Sequence, residues 1–451
     1  MSVLLPLLLA TTIDGNAALD HARGLAALGP HPWGSTRITG ALQYVESQFR
    51  LVGLEEVRIE AFEENGLVGK NVIGVLRAPG PEFIVVGAHH DTTPRAPGAY
   101  DDGGGVGVLI EMARVLAREG ERPRTIVFVS WDGEEAYSQR PLTTTAGSRA
   151  YVSALGPEAR HLVAAVVIEM SGWAKGSPCV HPIAYADPLR PGRYKIAPAW
   201  LMRTAVSAAR DARTTLHVGD PLLFWLYQPT VRAFRGRLYG DDISFVQAGL
   251  PAIFLSDSSL SAFYPWYHTP DDTADKLDAA ALTRMGQTVL AIVTALGREP
   301  LGGPATETWY ATAGDVWGPI AVIGVGLLSL CPGLLAAWRR GWMALTIRLS
   351  YSGLVGVLLW SNPVPTVWIF TLPSLIPLVS RRLWAGLVSL VPLGALAAMG
   401  GVAWKRGAAT GLWLAPWELG ALGLALALVW FLPRRKRGSR RRSGGKRGLP
   451  S

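Results

Sequence analysis

Between residues 14 and 300, short β-rich runs alternate with helical patterns, and this alternation limits the possible folds more than any other feature of the chain. Six runs are typical of strands, at 57–63, 71–78, 83–88, 125–131, 162–170 and 252–257. Four are typical of helices, at 41–52, 105–119, 199–212 and 279–297. Strands separated by helices predict an α/β domain whose largely parallel sheet is covered on both faces.

Potential metal ligands follow four of these predicted strands. They are "HHD" at 89–91, "DGEE" at 132–135, Glu169 at the end of the fifth run, and His268 in "YPWYHTPDDT". Any one of them alone would more often be part of a solvated loop. Because the carboxyl ends of parallel strands meet at one edge of a sheet, together they predict a metal site there.

The residue types suit a centre with two metal ions. Two ions a few ångströms apart need a carboxylate to bridge them and a separate base to activate water. A side chain that ligates metal strongly cannot also carry a proton. The adjacent pair Glu134 and Glu135 can divide these two tasks.

The order of motifs resembles that of the co-catalytic zinc exopeptidases, which include bacterial leucyl aminopeptidases, aminopeptidase Y, glutamate carboxypeptidase and the glutaminyl cyclases. The motifs are "HHD", "PGAYDD", "DGEE", "VIEMSG" and "YHTPDDT". With "LGPHPWGS" at 28–35 and apolar segments at the C-terminus, the chain is most similar to the membrane-anchored endoplasmic reticulum metallopeptidase branch. The resemblance covers about 20–300 and implies a three-layer αβα domain with a mostly parallel central sheet.

The resemblance also implies two zinc ions per chain and their ligands. His89 and Glu169 would hold one zinc, and Glu135 and His268 would hold the other. Asp101 would bridge the two ions.

Three further roles are implied at the same site. Asp91 would hydrogen-bond the far nitrogen of His89 and so set its tautomer. Glu134 would be the general base that takes a proton from water and passes it to the leaving amine. Tyr267 would either help to stabilise the oxyanion or simply pack as an aromatic ring. His90 matches no motif position and is interpreted as a neighbour of the site.

The sequence departs from the family pattern in three places. Glu169 stands where many relatives have Asp. Asp102 and the glycines after it replace the usual residues behind the bridging Asp101, which leaves the support of Asp101 open. A longer stretch, "AYSQRPLTTTA", follows Glu135 and is expected to form a pocket wall. Substrate preference therefore cannot be taken over from relatives.

From 316 to 433 the only acidic residue is Glu418, and this composition predicts a transmembrane domain of about five helices. Apolar runs can be read at 316–338, 342–360, 364–379, 383–403 and 410–432. The third run is short and contains three prolines. Five spans without a charged pathway argue against a transporter.

The basic tail 434–451 carries nine Lys or Arg, which account for the whole formal charge of +9. Such a tail after an apolar helix is typical of a topology signal and not of a nucleic-acid site. It predicts a cytoplasmic tail and an extracytoplasmic peptidase domain at 14–305. The apolar stretch 1–13 is interpreted as a degenerate signal or the remnant of an anchor.

These observations together predict a membrane-anchored zinc metallopeptidase, an aminopeptidase in preference to a carboxypeptidase. Its partners would be a peptide substrate and membrane lipid, with no nucleic acid, and the oligomeric state stays open. Two alternatives remain on the same fold: a glutaminyl-cyclase-like acyltransferase with one zinc, and a non-catalytic receptor or scaffold. Both are disfavoured because the chain keeps five ligands and Glu134.

Overall fold

The computed structural model describes residues 12–135, 144–181, 183–186, 189, 194–218, 240–258, 264–300, 311–312 and 316–317. The strands are β1 (Glu56–Glu64), β2 (Leu67–Leu76), β3 (Phe83–His89), β4 (Thr125–Trp131), β5 (Leu162–Ile168), β6 (Cys179–His181), β7 (Ala184–Ala186), β8 (Tyr194–Ile196), β9 (His217–Val218), β10 (Ala252–Ser256), β11 (Ala311–Thr312) and β12 (Val316–Trp317). The α-helices are α1 (Gly15–Ala26), α2 (Ile38–Leu51), α3 (Gly104–Ala117), α4 (Ala146–Leu155), α5 (Ala199–Asp211), α6 (Asp242–Gln247) and α7 (Ala279–Leu296).

Eight strands form one sheet in the order β1-β2-β4-β3-β5-β10-β6-β9. The four central strands, β4, β3, β5 and β10, are parallel to one another. β1 and β2 join one margin as an antiparallel hairpin, and β6 pairs antiparallel with β10 at the other. The predicted α/β fold is therefore confirmed, but the sheet is mixed, with its antiparallel pairs outside the central four strands.

The strand order places helices on both faces of the sheet. From β3 the chain passes to β4 on one side, and from β4 it returns past β3 to β5 on the other side. Because such crossovers are right-handed, α3 and α4 lie on opposite faces. Every residue of the four central strands is buried, as a sheet covered on both faces requires. The reversal of strand order next to β3 also opens a crevice at the carboxyl ends of these strands, where ligands bind in this class of fold.

The four predicted helices correspond to α2, α3, α5 and α7, whereas the sequence patterns missed α1, α4 and α6. The start of α1 carries a recognisable signal, because the Asp14 side chain accepts the main-chain N–H groups of Asn16 and Ala17. The six residues of α6 are too few to show a helical period.

Among the described residues, α7 alone is long and apolar enough to cross a membrane, judged by length and composition. Half of it is buried, and it packs on α1 and α5 as a core helix of the domain. The predicted transmembrane domain 316–433 lies outside the described residues except for Val316–Trp317. There the first predicted span begins not as a helix but as a short strand paired with Ala311–Thr312.

Candidate metal centre

The predicted site residues lie at the carboxyl edge of the central strands. His89 is the last residue of β3, and Glu169 directly follows β5. Glu134 and Glu135 lie on the loop after β4, and Asp101 lies in the helical turn Ala99–Gly103 that leads into α3. All five side chains are buried. His268 reaches the same edge from the loop beyond β10, with its side chain 20% exposed.

Three of these side chains form a compact group of potential metal ligands. One ligand atom from each of Asp101, Glu135 and His268 lies within 4.8 Å of the other two. His268 Nε2 is 3.1 Å from Asp101 Oδ2 and 2.6 Å from Glu135 Oε1. One imidazole nitrogen and two carboxylates are a suitable donor set for zinc, and a tetrahedral site would keep the fourth position for water. Asp101 Oδ2 is buried and, apart from this ion-pair contact with His268, receives no well-aligned hydrogen bond from the described residues, as expected of an oxygen that would take a cation.

His89 contacts the same group through the other oxygen of Asp101, with Nε2 and Oδ1 3.2 Å apart. Asp101 thus presents one oxygen to each histidine. This arrangement supports the bridging role expected of Asp101.

Glu169 stands apart from this group. Its Oε1 accepts the main-chain N–H of Asp241 at 3.1 Å and lies so close to Gly240 that a Cβ there would be 2.6 Å away. In the described part of the chain, no second set of three ligands meets the same distance limit. The geometry therefore assembles the ligands predicted for one zinc and leaves Glu169 turned toward the start of α6.

Asp91 has a contact that the sequence did not reveal. Its two carboxylate oxygens each accept a main-chain N–H at 3.0 Å, one from Glu134 and one from Glu135. His89 Nδ1 lies 3.0 Å from the main-chain oxygen of Asp91 but 3.5 Å from its carboxylate. The tautomer of His89 is therefore set mainly by a carbonyl, while the carboxylate of Asp91 holds the loop that carries the Glu pair.

Asp272 supports Asp101 from the loop that carries His268. Its carboxylate accepts the main-chain N–H groups of Tyr100 at 2.9 Å and Asp101 at 3.3 Å, and the hydroxyl of Tyr264 at 3.0 Å. Two ligand loops are thereby held at a fixed separation. The signal in the sequence was the acidic pair after "YHTP", which loop composition alone does not distinguish from solvated residues.

Asp102 gives a second support. Its Oδ1 accepts the N–H of Gly105 and that of Met170, each at 3.1 Å. This carboxylate joins the start of α3 to the residue after Glu169. Asp272 thus holds the main chain at Asp101, and Asp102 ties the following turn to the residue after Glu169.

Tyr267 and His90, the two other residues predicted near the site, lie beside the ligand group. The Tyr267 ring stacks on His268, with centroids 3.6 Å apart, which matches the packing alternative, and its oxyanion role stays a prediction. His90 is buried with Nδ1 3.0 Å from Ser130 Oγ and takes no place in the ligand group, as the motif comparison indicated.

The site holds more acid than base, and burial dominates its electrostatics. Burial raises the pKa of Glu134 and of Glu169 well above the usual range, and neighbouring carboxylates add to the shift for Glu134. Burial also raises the pKa of Glu135 to about 7, with Asp101 as the next cause. Burial opposes ionisation of Asp101 too, but the close contacts of both histidines outweigh it and lower the Asp101 pKa. A divalent cation would relieve this accumulation of negative charge.

The metal-free protein is expected to lose stability as the pH rises from about 5 to about 10. Burial lowers the pKa of His268, but the close contacts with the carboxylates of Asp101 and Glu135 outweigh it and raise this pKa to about 10. A pKa raised on folding means that the folded state binds more protons. The group's contribution to stability is therefore complete at a pH below its unfolded pKa and disappears as the pH rises through its folded pKa. Glu135 therefore accounts for the loss of stability up to about pH 7, and His268 accounts for the loss above that pH.

The measurement is urea unfolding across this pH range, in chelator and in zinc. Because zinc binds deprotonated ligands, it should flatten the dependence. Stability of the metal-free protein that increases with pH would contradict the assignment.

Known proteins match this part of the chain. Residues 71–293 match the family model of Peptidase family M28. Aminopeptidase YwaD of Bacillus subtilis (strain 168) is 25% identical over 270 residues, which cover 58% of this chain and 52% of that protein. Endoplasmic reticulum metallopeptidase 1 of Mus musculus is 23% identical over 310 residues, which cover 62% of this chain and 30% of that protein. The match thus spans about half of the first relative and under a third of the second.

Solved structures show the same fold. BSAP, a zinc aminopeptidase from Bacillus subtilis, has a TM-score of 0.51 at 15% identity over 66% of this chain and 99% of that one. LapB from Legionella pneumophila has a TM-score of 0.52 at 22% identity over 64% and 74%. Porphyromonas gingivalis glutaminyl cyclase has a TM-score of 0.50 at 22% identity over 62% and 98%. The resemblance to the co-catalytic zinc exopeptidases is therefore confirmed, and residues 71–293 are the part of the chain that matches Peptidase family M28.

Proposed function

We propose that this protein is a membrane-anchored zinc metallopeptidase that removes residues from the amino end of peptides. The observation that carries the proposal is the group Asp101, Glu135 and His268, in which both carboxylates are buried, with the buried Glu134 next to Glu135 on the same loop. His89 and Glu169 would complete a second zinc site at Asp101. The family match supports a metallopeptidase, and the amino-end specificity rests on the charges described below.

In this proposal each residue of the site has a separate task. Zinc, when bound, polarises the scissile carbonyl and lowers the pKa of a water molecule. Glu134 accepts the proton of that water and later donates it to the leaving amine. Its raised pKa suits both steps, because a base must hold the proton long enough to deliver it. Asp91 keeps Glu134 in place by binding its main-chain N–H.

The charges near the site favour recognition of the substrate's α-ammonium group over recognition of its α-carboxylate. A carboxyl terminus would be recognised by Arg or Lys. Of the basic candidates, Arg149 is bound through two nitrogen–oxygen contacts to Glu64, and Arg95 is exposed. Arg140 lies outside the described residues. Carboxylates, by contrast, are abundant in the site.

One peptide in three forms tests this specificity. Cleavage of the free peptide should be abolished by N-acetylation and retained after C-amidation, because only the first change removes the charged amine. Peptides labelled at either end and followed by mass spectrometry would show which bond is cut. Loss of cleavage on amidation alone would make the protein a carboxypeptidase and point to Arg140.

A glutaminyl-cyclase-like acyltransferase with one zinc is the second candidate. It is favoured by one observation, namely that the described residues assemble a single compact ligand triad while Glu169 lies apart. Metal analysis of the purified chain separates the two, with two zinc ions per chain expected for the peptidase. Release of ammonia from an N-terminal glutaminyl peptide would instead support the cyclase.

The membrane anchor and its orientation belong to the same proposal. Thirteen basic residues lie on the proposed inner side of the spans against two on the outer side. A reporter fused after Ser451 should therefore be cytoplasmic, and protease added to spheroplasts should digest the peptidase domain. Protection of residues 20–300 in that assay would reverse the orientation.

A further inference from the structure

We infer that Asp241 is the carboxylate that binds the α-ammonium group of the substrate. This inference rests on the proposed function and deepens it. Asp241 lies just before α6, outside the ligand set expected from the sequence. It is completely buried, and within the described part of the chain neither carboxylate oxygen accepts a well-aligned hydrogen bond.

The other buried acids around the site are already engaged. Asp91 binds two main-chain N–H groups, as does Oδ1 of Asp102. Asp132 binds the N–H of Lys70, and Asp272 has three donors. Among the described buried acids outside the expected ligands and Glu134, Asp241 is the one whose two carboxylate oxygens both lack a hydrogen bond. Burial without a partner disfavours the ionised form of a carboxylate, and a cationic ligand would stabilise that form here.

The neighbouring side chains do not supply that partner. Ser148 is close enough to the Asp241 carboxylate to lower its pKa, but a hydroxyl carries no charge, and this one also contacts the main-chain oxygen of Thr145 at 3.2 Å and the Ser244 hydroxyl at 2.8 Å. Arg149 acts on Asp241 only through its charge, because its guanidinium is bound to Glu64. The main-chain N–H of Asp241 itself is directed to Glu169.

The position of Asp241 fits an amine next to the scissile bond. In an N-terminal residue the ammonium nitrogen lies about 2.5 Å from the carbonyl carbon. The side chain that binds this ammonium group must therefore lie beside both the general base and the metal ligands. The charge of Asp241 contributes to the raised pKa of Glu134 and of Glu169, and His89 acts on Asp241 in turn. An ammonium group has three donors and can serve two carboxylates at once.

The test measures binding in the zinc-loaded full chain carrying Glu134→Gln, in which peptide binds without turnover. By calorimetry, leucylglycylglycine should bind at least ~10-fold more tightly than its N-acetyl form. Adding Asp241→Asn should remove this difference while zinc content stays unchanged. Asp242→Asn is the matched control, because Asp242 is an adjacent buried acid that already binds the Tyr185 hydroxyl at 2.7 Å. The control should keep the preference.

Three outcomes would overturn the inference. The Glu134→Gln protein could show no preference for the free amine, or the preference could survive Asp241→Asn. Asp241→Asn could also lose zinc as Glu135→Gln does, which would make Asp241 a metal ligand. Cleavage by the wild-type protein is scored separately. A binding preference that depends on Asp241, without any cleavage, would uphold the inference and reject the aminopeptidase.

Discussion

Replacement of Glu134 by Gln should lower kcat by at least ~100-fold while the zinc content stays that of the wild type. Gln keeps the size of the side chain and removes its ability to accept a proton. The loop itself should persist, because the contact from Asp91 goes to the main-chain N–H of residue 134 and not to its side chain. Activity and metal content would be measured on the same preparations.

Glu135→Gln is the matched comparison, one residue away on the same loop. Its Oε1 lies 2.6 Å from His268 Nε2 within the ligand triad, so this variant should lose zinc as well as activity. Equal metal loss in both variants would show that the two roles are wrongly divided. Full activity of Glu134→Gln would reject the general base altogether.

Asp101→Asn should weaken zinc binding more than either change to the Glu pair, by more than ~100-fold, a loss beyond that of a supporting residue. One oxygen of Asp101 faces His89 and the other faces His268. An amide lacks the negative charge and would present an N–H group to one of the two histidines. Zinc titration with a competing chelator measures the effect, and both proposed metal positions should be affected together.

Asp271→Asn provides the control for Asp101→Asn. Asp271 is an exposed acid on the loop that carries His268 and is not part of the ligand group. Its zinc affinity should equal that of the wild type. Asp101→Asn with unchanged affinity for all bound zinc would contradict the bridging role, and loss of only one ion would assign Asp101 to a single site.

The pattern of residues was sufficient to predict the α/β class and the edge at which the site lies. The reason is local, since strand and helix periods are visible in short windows and parallel strands necessarily present their carboxyl ends together. The individual ligands Asp101, Glu135 and His268 were singled out by the resemblance to the zinc exopeptidases and not by the strand pattern. The short elements α4, α6 and β6 escaped prediction, because a few residues show no period.

Only the tertiary structure decided which role each acidic side chain of the site takes. The sequence presents Asp91, Asp102, Asp241 and Asp272 as similar carboxylates on loops. Only the folded chain shows that the carboxylates of three of them bind main-chain N–H groups, while among the described residues that of Asp241 does not. It also turns Glu169 away from the triad and pairs Arg149 with Glu64. These assignments depend on loop paths and side-chain directions that bring together residues far apart in the chain, and no local pattern encodes such directions.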